Sequence, residues 1–294
     1  MKLERRNLLA PELQLLLVAV IWGFAFVAQR QSMRCVGAFF FNAVRFSLGA
    51  LVLVPWMRLH LSAAETPSAI RPGILAGAVL FVATSFQTVG LATTGAGKAA
   101  FVTCLYLILV PLGSRLFGEK IRWNVWCGCL LALFGLYFLC LRGSLHVSTG
   151  DALVLIGAFF WSLQILLVGR SATRVDGVRF AFWQFLSCAF LSLVSTLLFE
   201  TTTLAGAHAA LLSIIYGGIL SVGVAYTLQV TGQAGTTASR AAILLSLETV
   251  FATIGGWLLL GERLGLRELG GCALMFAGTT LSQLGRKPAS ASSR

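Results

Sequence analysis

Long runs of apolar residues recur along this chain, separated by short polar stretches. A helix needs about 20 such residues to cross the hydrocarbon core of a bilayer, which is roughly 30 Å thick. Within each run the apolar positions are continuous and do not alternate as they do in the strands of a membrane β-barrel. The pattern predicts an all-α integral membrane protein with ten spans, at residues 13–29, 37–57, 73–92, 97–117, 123–141, 151–169, 178–198, 209–231, 237–260 and 267–284.

The second half of the chain repeats the first. GEKIRWNVWCGCLLALFG begins at Gly118 and GERLGLRELGGCALMFAG begins at Gly261, an offset of 143 residues (261 − 118). An acid, a tryptophan and a glutamine recur at similar offsets, as Glu12 and Asp151, Trp22 and Trp161, and Gln87 and Gln229. The repeat divides the chain into two units, residues 1–145 and 146–294.

Five spans in each unit would set the two halves in opposite orientations. Because five is odd, two copies of one sequence then enter the membrane from opposite sides, which gives inverted repeats about a pseudo-two-fold axis in the membrane plane. Transporters built in this way bind their substrate between the repeats, near the bilayer midplane. The sequence therefore predicts two inverted five-helix repeats with a site between them.

Composition agrees with a membrane setting, and the basic residues predict an orientation. Apolar residues make up 57% of the chain and charged residues 11%, with a mean hydropathy of +0.88, whereas soluble domains carry about a quarter charged residues. The net charge of +12 comes from scattered basic residues, without the cluster that nucleic acid requires. Fifteen Lys and Arg residues fall in loops on the side of the N-terminus and six on the other side. We therefore expect a multi-pass protein of the cell (inner) membrane with both termini cytoplasmic.

The cysteines and histidines form no recognisable ligand set. Seven Cys residues are an odd number without a CxxC pair, and we interpret them as small packing residues. His60, His146 and His208 fall in separate predicted loops and lack metal-ligand spacing. The chain has no GxxxxGK[ST] phosphate-binding loop, so the sequence predicts no metal, no cofactor and no built-in ATP hydrolysis.

Several segments resemble the EamA-type family of the drug/metabolite transporter superfamily. They include WGFAFVAQR at 22–30, FFNAVRFSLGALVL at 40–53, GKAAFVTCLYLILVPL at 97–112, GDALVLIGAFFWSLQILLVGR at 150–170 and SRAAILLSLETVFATIGGWLLLGERL at 239–264. The resemblance implies ten helices, secondary transport of small metabolites, often outward, and a central cavity lined by the third, fourth, eighth and ninth helices. The chain departs from the family at Thr249, where a proline is usual, whereas the first half carries Pro111 at a later position. We therefore expect the helix kinks of the two halves to differ.

Glu248 is the strongest candidate for chemistry, because it is the acid that these limits place well inside a span. A carboxylate there costs on the order of 2.5–3.5 kcal/mol on insertion scales, so it should face a cavity or a partner. We predict that it binds substrate and acts as the proton-coupling group. The alternative is a structural hydrogen bond that holds the ninth span to a neighbour. Tyr106 is its counterpart in the first half, so the symmetry is broken there.

The other candidates for substrate binding are polar or aromatic residues inside the spans: Gln87, Tyr106, Gln229, Trp22, Trp161 and Asn42. The amides suit a zwitterionic or polyhydroxyl substrate, although hydrogen bonds between helices explain them equally well. The aromatic residues, with Phe86 and Tyr226, could form a passage or could be ordinary packing. Arg45 follows Asn42 by about one turn; we interpret it as structural or reaching an interface, with a substrate carboxylate or Glu248 as alternative partners.

Two further features concern movement and packing. Lys98 and Arg240 begin equivalent spans on opposite faces of the membrane, and we predict that they act as gate charges, with simple anchoring as the alternative. Glycines recur at heptad spacing in the fifth and tenth spans and predict close helix packing, with a homodimer contact as an additional use: Gly128, Gly135, Gly271 and Gly278.

The sequence thus favours a secondary active transporter, an exporter of small metabolites such as amino acids, working by alternating access with proton coupling. Its partners would be a small-molecule substrate and the lipid bilayer. A membrane receptor or assembly subunit without cargo is the alternative. An integral-membrane enzyme is less favoured, because the loops bring no cluster of His, Asp or Cys together.

Overall fold

Every regular element in the described part of the structure is a helix. The structure is a computed structural model that describes residues 10–59, 68–94, 96–140, 148–260 and 265–284. The helices are α1 (Pro11–Ser32), α2 (Ala38–Leu59), α3 (Ile70–Gly90), α4 (Ala96–Thr103), α5 (Tyr106–Leu116), α6 (Trp123–Cys140), α7 (Thr149–Ser171), α8 (Gly177–Phe199), α9 (Leu204–Ala209), α10 (Leu211–Ile215), a π-helix (Tyr216–Tyr226), α11 (Thr227–Gln233), α12 (Ala238–Leu245), α13 (Glu248–Leu260) and α14 (Leu266–Gln283).

Eight helical segments in the described residues are long and apolar enough to cross a membrane. Five of them are the single helices α1, α2, α3, α7 and α8. The other three are continuous rods made of shorter helices, namely α4 with α5, α10 to α11 through the π-helix, and α12 with α13. A shorter apolar helix, α6, and the 18-residue α14 lie at the two remaining predicted positions. The prediction of an all-α membrane protein is confirmed.

Polar residues fix where the helices begin. At the start of α7 the Asp151 carboxylate accepts a hydrogen bond from the backbone N–H of Ser148 at 2.6 Å, and the Ser148 hydroxyl accepts one from the Asp151 N–H at 3.2 Å. This capping box satisfies backbone donors that have no partner inside the helix. The hydroxyl of Thr94 also donates to Asp151. These contacts give Asp151 a structural role at the start of α7.

The two rods α4–α5 and α12–α13 are each broken at the same point of the repeat. The first break precedes Tyr106 and the second precedes Glu248, an offset of 142 residues (248 − 106). Pro111 lies inside α5, beyond the break, and Thr249 lies in the first turn of α13. Proline therefore causes neither break. We expected the helix kinks of the two halves to differ. This expectation is wrong for the positions of the breaks, because both rods break at equivalent residues.

The π-helix packs closely against α2. A Cβ added to Gly218 would lie 2.6 Å from the Cβ of Leu48, and one added to Gly49 would lie 2.2 Å from Cγ1 of Val222. Glycine on both helices thus permits a contact that no larger residue would allow. Because π-helical turns are uncommon and concentrate near functional sites, the residues beside this segment are candidates for such a site.

The helices α6 and α14 cross through reciprocal glycine contacts. A Cβ on Gly128 would lie 2.6 Å from the carbonyl oxygen of Gly278, and a Cβ on Gly278 would lie 2.6 Å from that of Gly128. Gly135 and Gly271 form the same contact at 2.6 and 2.7 Å. The predicted close packing of these helices is confirmed. The same glycines cannot serve a homodimer contact, because their faces are covered within the chain.

A distant acid holds the N-terminus of α2. Glu200, which follows α8, accepts hydrogen bonds from the backbone N–H groups of Phe39 at 2.9 Å and Phe40 at 2.8 Å. A negative charge is favourable at this end of a helix because the first N–H groups lack partners. Gly37 leaves the necessary room, since a Cβ there would lie 2.2 Å from the carboxyl carbon of Glu200.

Replacing this acid should loosen the contact between α8 and α2. We expect Glu200→Ala to lower the free energy of unfolding by about 1–2 kcal/mol, the cost typical of a lost helix cap. Thermal unfolding of the purified protein in detergent, followed by tryptophan fluorescence, measures the change. The matched control is Glu119→Ala, which removes an exposed carboxylate. Equal melting temperatures for the two variants would contradict the capping role.

Candidate binding cavity

A cavity lies where the broken rods meet α1, α3, α7 and the π-helix. The space that its lining residues surround, open solvent included, amounts to about 460 Å³. Six of the seven residues predicted to bind substrate line this one cavity: Trp22, Gln87, Tyr106, Trp161, Gln229 and Glu248. Residues that are far apart in sequence are thus brought together from both halves of the chain.

The two residues that follow the helix breaks form a hydrogen-bonded pair in the cavity wall. Tyr106 begins α5 and Glu248 begins α13, and the tyrosine hydroxyl donates to Oε1 of the glutamate at 3.0 Å. The thiol of Cys104 lies 3.6 Å from the same oxygen. Glu248 is 5% exposed, and its position in the first turn of α13 suits a negative charge. The point where the repeat loses its symmetry is therefore also where the two broken rods touch.

The paired glutamines have different surroundings. Oε1 of Gln87 accepts a hydrogen bond from Nε1 of Trp161 at 3.2 Å. Gln229 forms a reciprocal amide pair with Gln164, in which each Nε2 donates to the other Oε1 at 3.2 Å. Both members of that pair are fully buried. Gln229 therefore holds α11 to α7 and lines the cavity at the same time, so both interpretations of it remain.

The amide pair can be separated from substrate binding by mutation. Gln164→Leu should destabilise the protein by about 1 kcal/mol, within the range found for hydrogen bonds between membrane helices, because it leaves the Gln229 amide unpaired. Gln164→Leu combined with Gln229→Leu should cost little more than the single change, since both polar groups are then gone. Thermal melts of the four proteins in a double-mutant cycle give the coupling. Strictly additive losses would contradict the pairing.

Three of the residues that line the cavity are aromatic and pack against one another. The ring centroids of Trp22 and Tyr226 lie 4.6 Å apart, those of Trp22 and Trp161 6.2 Å, and those of Trp161 and Tyr226 6.3 Å. Nε1 of Trp22 donates to the backbone carbonyl of Ser221 in the π-helix at 3.1 Å. Phe86, expected in the same passage, instead stacks on Phe160 and does not line the cavity. We name Trp22, Trp161 and Tyr226 the aromatic cluster.

Arg45 lines the cavity, whereas Asn42 lies beside it. Nε of Arg45 donates to Oδ1 of Asn42 at 3.0 Å. Its guanidinium carbon lies 5.2 Å from the ring centroid of Phe41 and 4.9 Å from that of Phe46. Arg45 is only 2% exposed, so the expectation that it reaches an interface is wrong. Asn42 is not among the cavity-lining residues and acts on the cavity through Arg45.

Of the two predicted gate residues, the structure describes the side chain of Arg240 alone. Arg240 is buried in the first turn of α12, where the hydroxyl of Thr237 accepts a hydrogen bond from its backbone N–H at 3.4 Å. It is not a cavity-lining residue. The side chain of Lys98 lies outside the described residues. The gate role of both stays a prediction.

The cavity wall holds two polar groups without partners in the described part of the chain. The sequence offered the Thr103 hydroxyl, near the depth of Tyr106 and Glu248, as a candidate but did not single out Gln29. Oε1 of Gln29 and Oγ1 of Thr103 are buried, and neither has a hydrogen-bond partner in the described residues. Gln29 follows Trp22 by seven residues on one helix face, which is the signal that could have found it. Buried polar atoms are normally paired, so a ligand in the cavity would supply partners that the protein does not. No group of three or more His, Cys, Asp or Glu residues in the described ranges is arranged to hold a metal ion.

Comparison with known proteins identifies the family of the chain that forms this cavity. The model of the EamA-like transporter family matches residues 9–141 and again residues 148–284. The chain belongs to the EamA-like transporter family. The resemblance noted from the sequence, including its place in the drug/metabolite transporter superfamily, is therefore confirmed. The chain is a multi-pass membrane protein of a transport family.

Several relatives of this EamA-like chain are known. An uncharacterised transporter of Archaeoglobus fulgidus is 32% identical over 86% of this chain and 79% of its own length. The threonine/homoserine exporter RhtA of Salmonella typhimurium is 30% identical over 84% of this chain and 83% of its own. A crystal structure of a protein with 23% identity superposes with a TM-score of 0.78 over 93% of this chain and 96% of that one. The last likeness shows a shared fold.

Proposed function

We propose that this EamA-like protein is a secondary active transporter that exports small polar metabolites through the central cavity by alternating access. The observation that carries the proposal is the meeting of two broken rods at Tyr106 and Glu248 inside a polar cavity. In many transporters, helices interrupted at the midplane form the substrate and ion sites. Broken rods also allow one part of a helix to move while the other stays packed.

The two halves of the chain are proposed to be inverted five-helix repeats, residues 1–145 and 146–294, with ten membrane helices in all. Helix contacts support the proposal, because replacing each helix of a contacting pair by its counterpart in the other half gives another pair that is in contact. The contact of α1 with α13 corresponds to that of α7 with α5, and the contact of α3 with α8 corresponds to that of the π-helix with α2. The reciprocal glycine contacts of α6 and α14 follow the same exchange. Rocking of such repeats about a fixed site is one route to alternating access.

Glu248 is the proposed coupling group. A carboxyl group in a water-poor cavity can bind either a proton or a cationic part of a substrate, and the two compete for the same oxygen atoms. Export of a substrate in exchange for a proton requires this competition. The hydroxyl of Tyr106 holds Oε1 of the carboxyl in place at 3.0 Å. We keep Lys98 and Arg240 as proposed gate charges and place both termini in the cytoplasm, with the protein in the inner membrane.

The substrate class is proposed from the cavity and from one relative. The cavity combines amide, hydroxyl, carboxyl and guanidinium groups with three aromatic rings. A polar metabolite that also carries apolar surface suits such a wall. RhtA of Salmonella typhimurium is named as a threonine/homoserine exporter. We therefore propose amino acids and related compounds as the first substrates to test.

Comparison of secreted metabolites tests this proposal. Cells that express the protein, its Glu248→Gln variant at equal membrane abundance, or an empty vector are grown with raised intracellular amino acids, and the medium is profiled by mass spectrometry. The proposal predicts that specific small polar compounds accumulate outside only with the unaltered protein. Identical media in all three cultures, across amino acids and other small metabolites, would refute export.

A further inference from the structure

Arg45 carries a positive charge that is buried inside the protein, and the described part of the chain places no acidic partner beside it. No carboxylate in the described residues forms an ion pair with it. Its guanidinium contacts Oδ1 of Asn42 and the rings of Phe41 and Phe46, and Tyr226 and Cys188 lie near enough to interact with its charge. A guanidinium keeps its charge in a protein, so Arg45 cannot escape burial by losing a proton. Buried charges are normally paired. The described residues do not supply such a partner, whereas a ligand with a carboxylate would supply one.

The cavity is the place from which this partner can reach Arg45. The residue belongs to the cavity wall although it is only 2% exposed overall. Asn42 binds Nε and so orients the side chain, while the two terminal nitrogens form no hydrogen bond with the described residues. Two parallel N–H donors of this kind match the two oxygens of a carboxylate.

The repeat shows that the charge is a departure from symmetry. Gln184 occupies the position in the second half that corresponds to Arg45, at an offset of 139 residues (184 − 45). Tyr106 corresponds in the same way to Glu248. At the first of these two positions the first half has a cation, Arg45, where the second half has a neutral glutamine. At the other the second half has an anion, Glu248, where the first half has a neutral tyrosine. Both charges line the same cavity, and they do not pair with each other.

We propose that Arg45 binds the carboxylate of a zwitterionic amino acid whose ammonium group lies at Glu248. The aromatic cluster of Trp22, Trp161 and Tyr226 lines the same cavity, and aromatic rings attract cations such as an ammonium group. A zwitterion satisfies both buried charges at once, whereas a simple anion or a simple cation satisfies one. This inference names the substrate class of the cavity and rests on the proposed transport function only for what happens after binding.

A ligand series of nearly constant shape tests the assignment. Binding of the twenty L-amino acids to the purified protein in nanodiscs is measured first by isothermal titration. L-Threonine is then compared with 1-amino-2-propanol, which lacks the carboxylate, with 3-hydroxybutyrate, which lacks the amine, and with threonine methyl ester; homologous series are made for any amino acid that binds better. Because charge-assisted hydrogen bonds are worth about 1.5–3 kcal/mol, each truncated ligand should bind at least about tenfold more weakly.

Variants of Arg45 separate the binding role from a structural one. Arg45→Gln installs the side chain found at the equivalent position, Gln184, and should weaken amino acid binding at least about tenfold while leaving the affinity for the ligand without a carboxylate unchanged. Arg45→Lys keeps the charge but loses the two parallel donors, so it should fall between the two. Equal weakening of all ligands would instead mean that Arg45 only supports the fold, and would overturn the proposal. If the glutamine variant does not fold, the ligand series on the unaltered protein decides alone.

Failure of the assignment can be told apart from failure of the transport proposal. If none of the twenty amino acids binds, or if the methyl ester binds as tightly as the free acid, Arg45 is not a carboxylate site, whatever the protein transports. If amino acids bind with the predicted pattern but proteoliposomes show no flux, the assignment stands and the transport proposal fails. Export of a compound without a carboxylate would keep transport and overturn the assignment.

Discussion

Glu248→Gln is expected to abolish transport driven by a pH gradient. The substitution keeps the size of the side chain and can still accept a hydrogen bond from the hydroxyl of Tyr106, but the amide cannot bind and release a proton. Protons should move in as substrate moves out, so efflux from proteoliposomes that contain the unaltered protein should rise when the outer medium is acidified. The variant should show no such rise. Exchange of labelled for unlabelled substrate should persist, at higher substrate concentrations, because one ligand contact is weaker.

A matched control shows whether the loss belongs to the cavity. Glu119→Gln makes the same chemical change at an exposed position and should leave gradient-driven efflux unaltered. Melting temperatures of both variants report on folding. Efflux from the Glu248→Gln protein that still follows the pH gradient would show that another group carries the coupling, and the coupling role would then be given up.

Gly271→Ala is expected to destabilise the protein, whereas Gly270→Ala on the same helix is not. A Cβ at Gly271 would lie 2.7 Å from the carbonyl oxygen of Gly135 and 2.9 Å from the backbone nitrogen of Leu139. Neither atom is the end of a flexible side chain, so α6 and α14 must move apart. Overpacking of this kind costs about 1–3 kcal/mol. A Cβ at Gly270 would meet nothing within 4 Å.

The two alanine variants should therefore differ in stability. Alanine is the better helix former by roughly 0.5–1 kcal/mol, so Gly270→Ala should be neutral or slightly stabilising. The free energy of unfolding is obtained from thermal or denaturant melts in the same detergent. Reciprocal contact predicts that Gly135→Ala behaves like Gly271→Ala. Equal stability of the Gly270 and Gly271 variants would mean that α6 and α14 do not cross at these glycines.

Hydropathy was sufficient to place the helices, because a membrane imposes length and apolar composition on each one. The span expected at 151–169, for example, is α7, Thr149–Ser171. The breaks before Tyr106 and Glu248 could not be expected in the same way, since no glycine or proline marks them. They depend on packing between the two halves, and local sequence does not record that packing.

The cavity was predictable in part, because polar residues inside an apolar run are costly and therefore informative. Gln87, Gln229 and Glu248 stand out in the sequence for this reason, and all three line the same cavity. Their hydrogen-bond partners do not stand out in the same way. The Gln164 amide that pairs with Gln229 lies 65 residues away in sequence. Arg45 was interpreted as structural for the same reason, since its lack of an acidic partner is a property of the fold.

Solute counterflow tests the central claim most directly, namely that one cavity opens to each side of the membrane in turn. Proteoliposomes are loaded with a high concentration of unlabelled amino acid and diluted into buffer that holds a trace of the same compound in labelled form, with no pH gradient. A carrier that works by alternating access should accumulate label transiently above its outside concentration. Absence of this overshoot, for an amino acid that titration shows to bind, would contradict the account and favour a receptor without cargo.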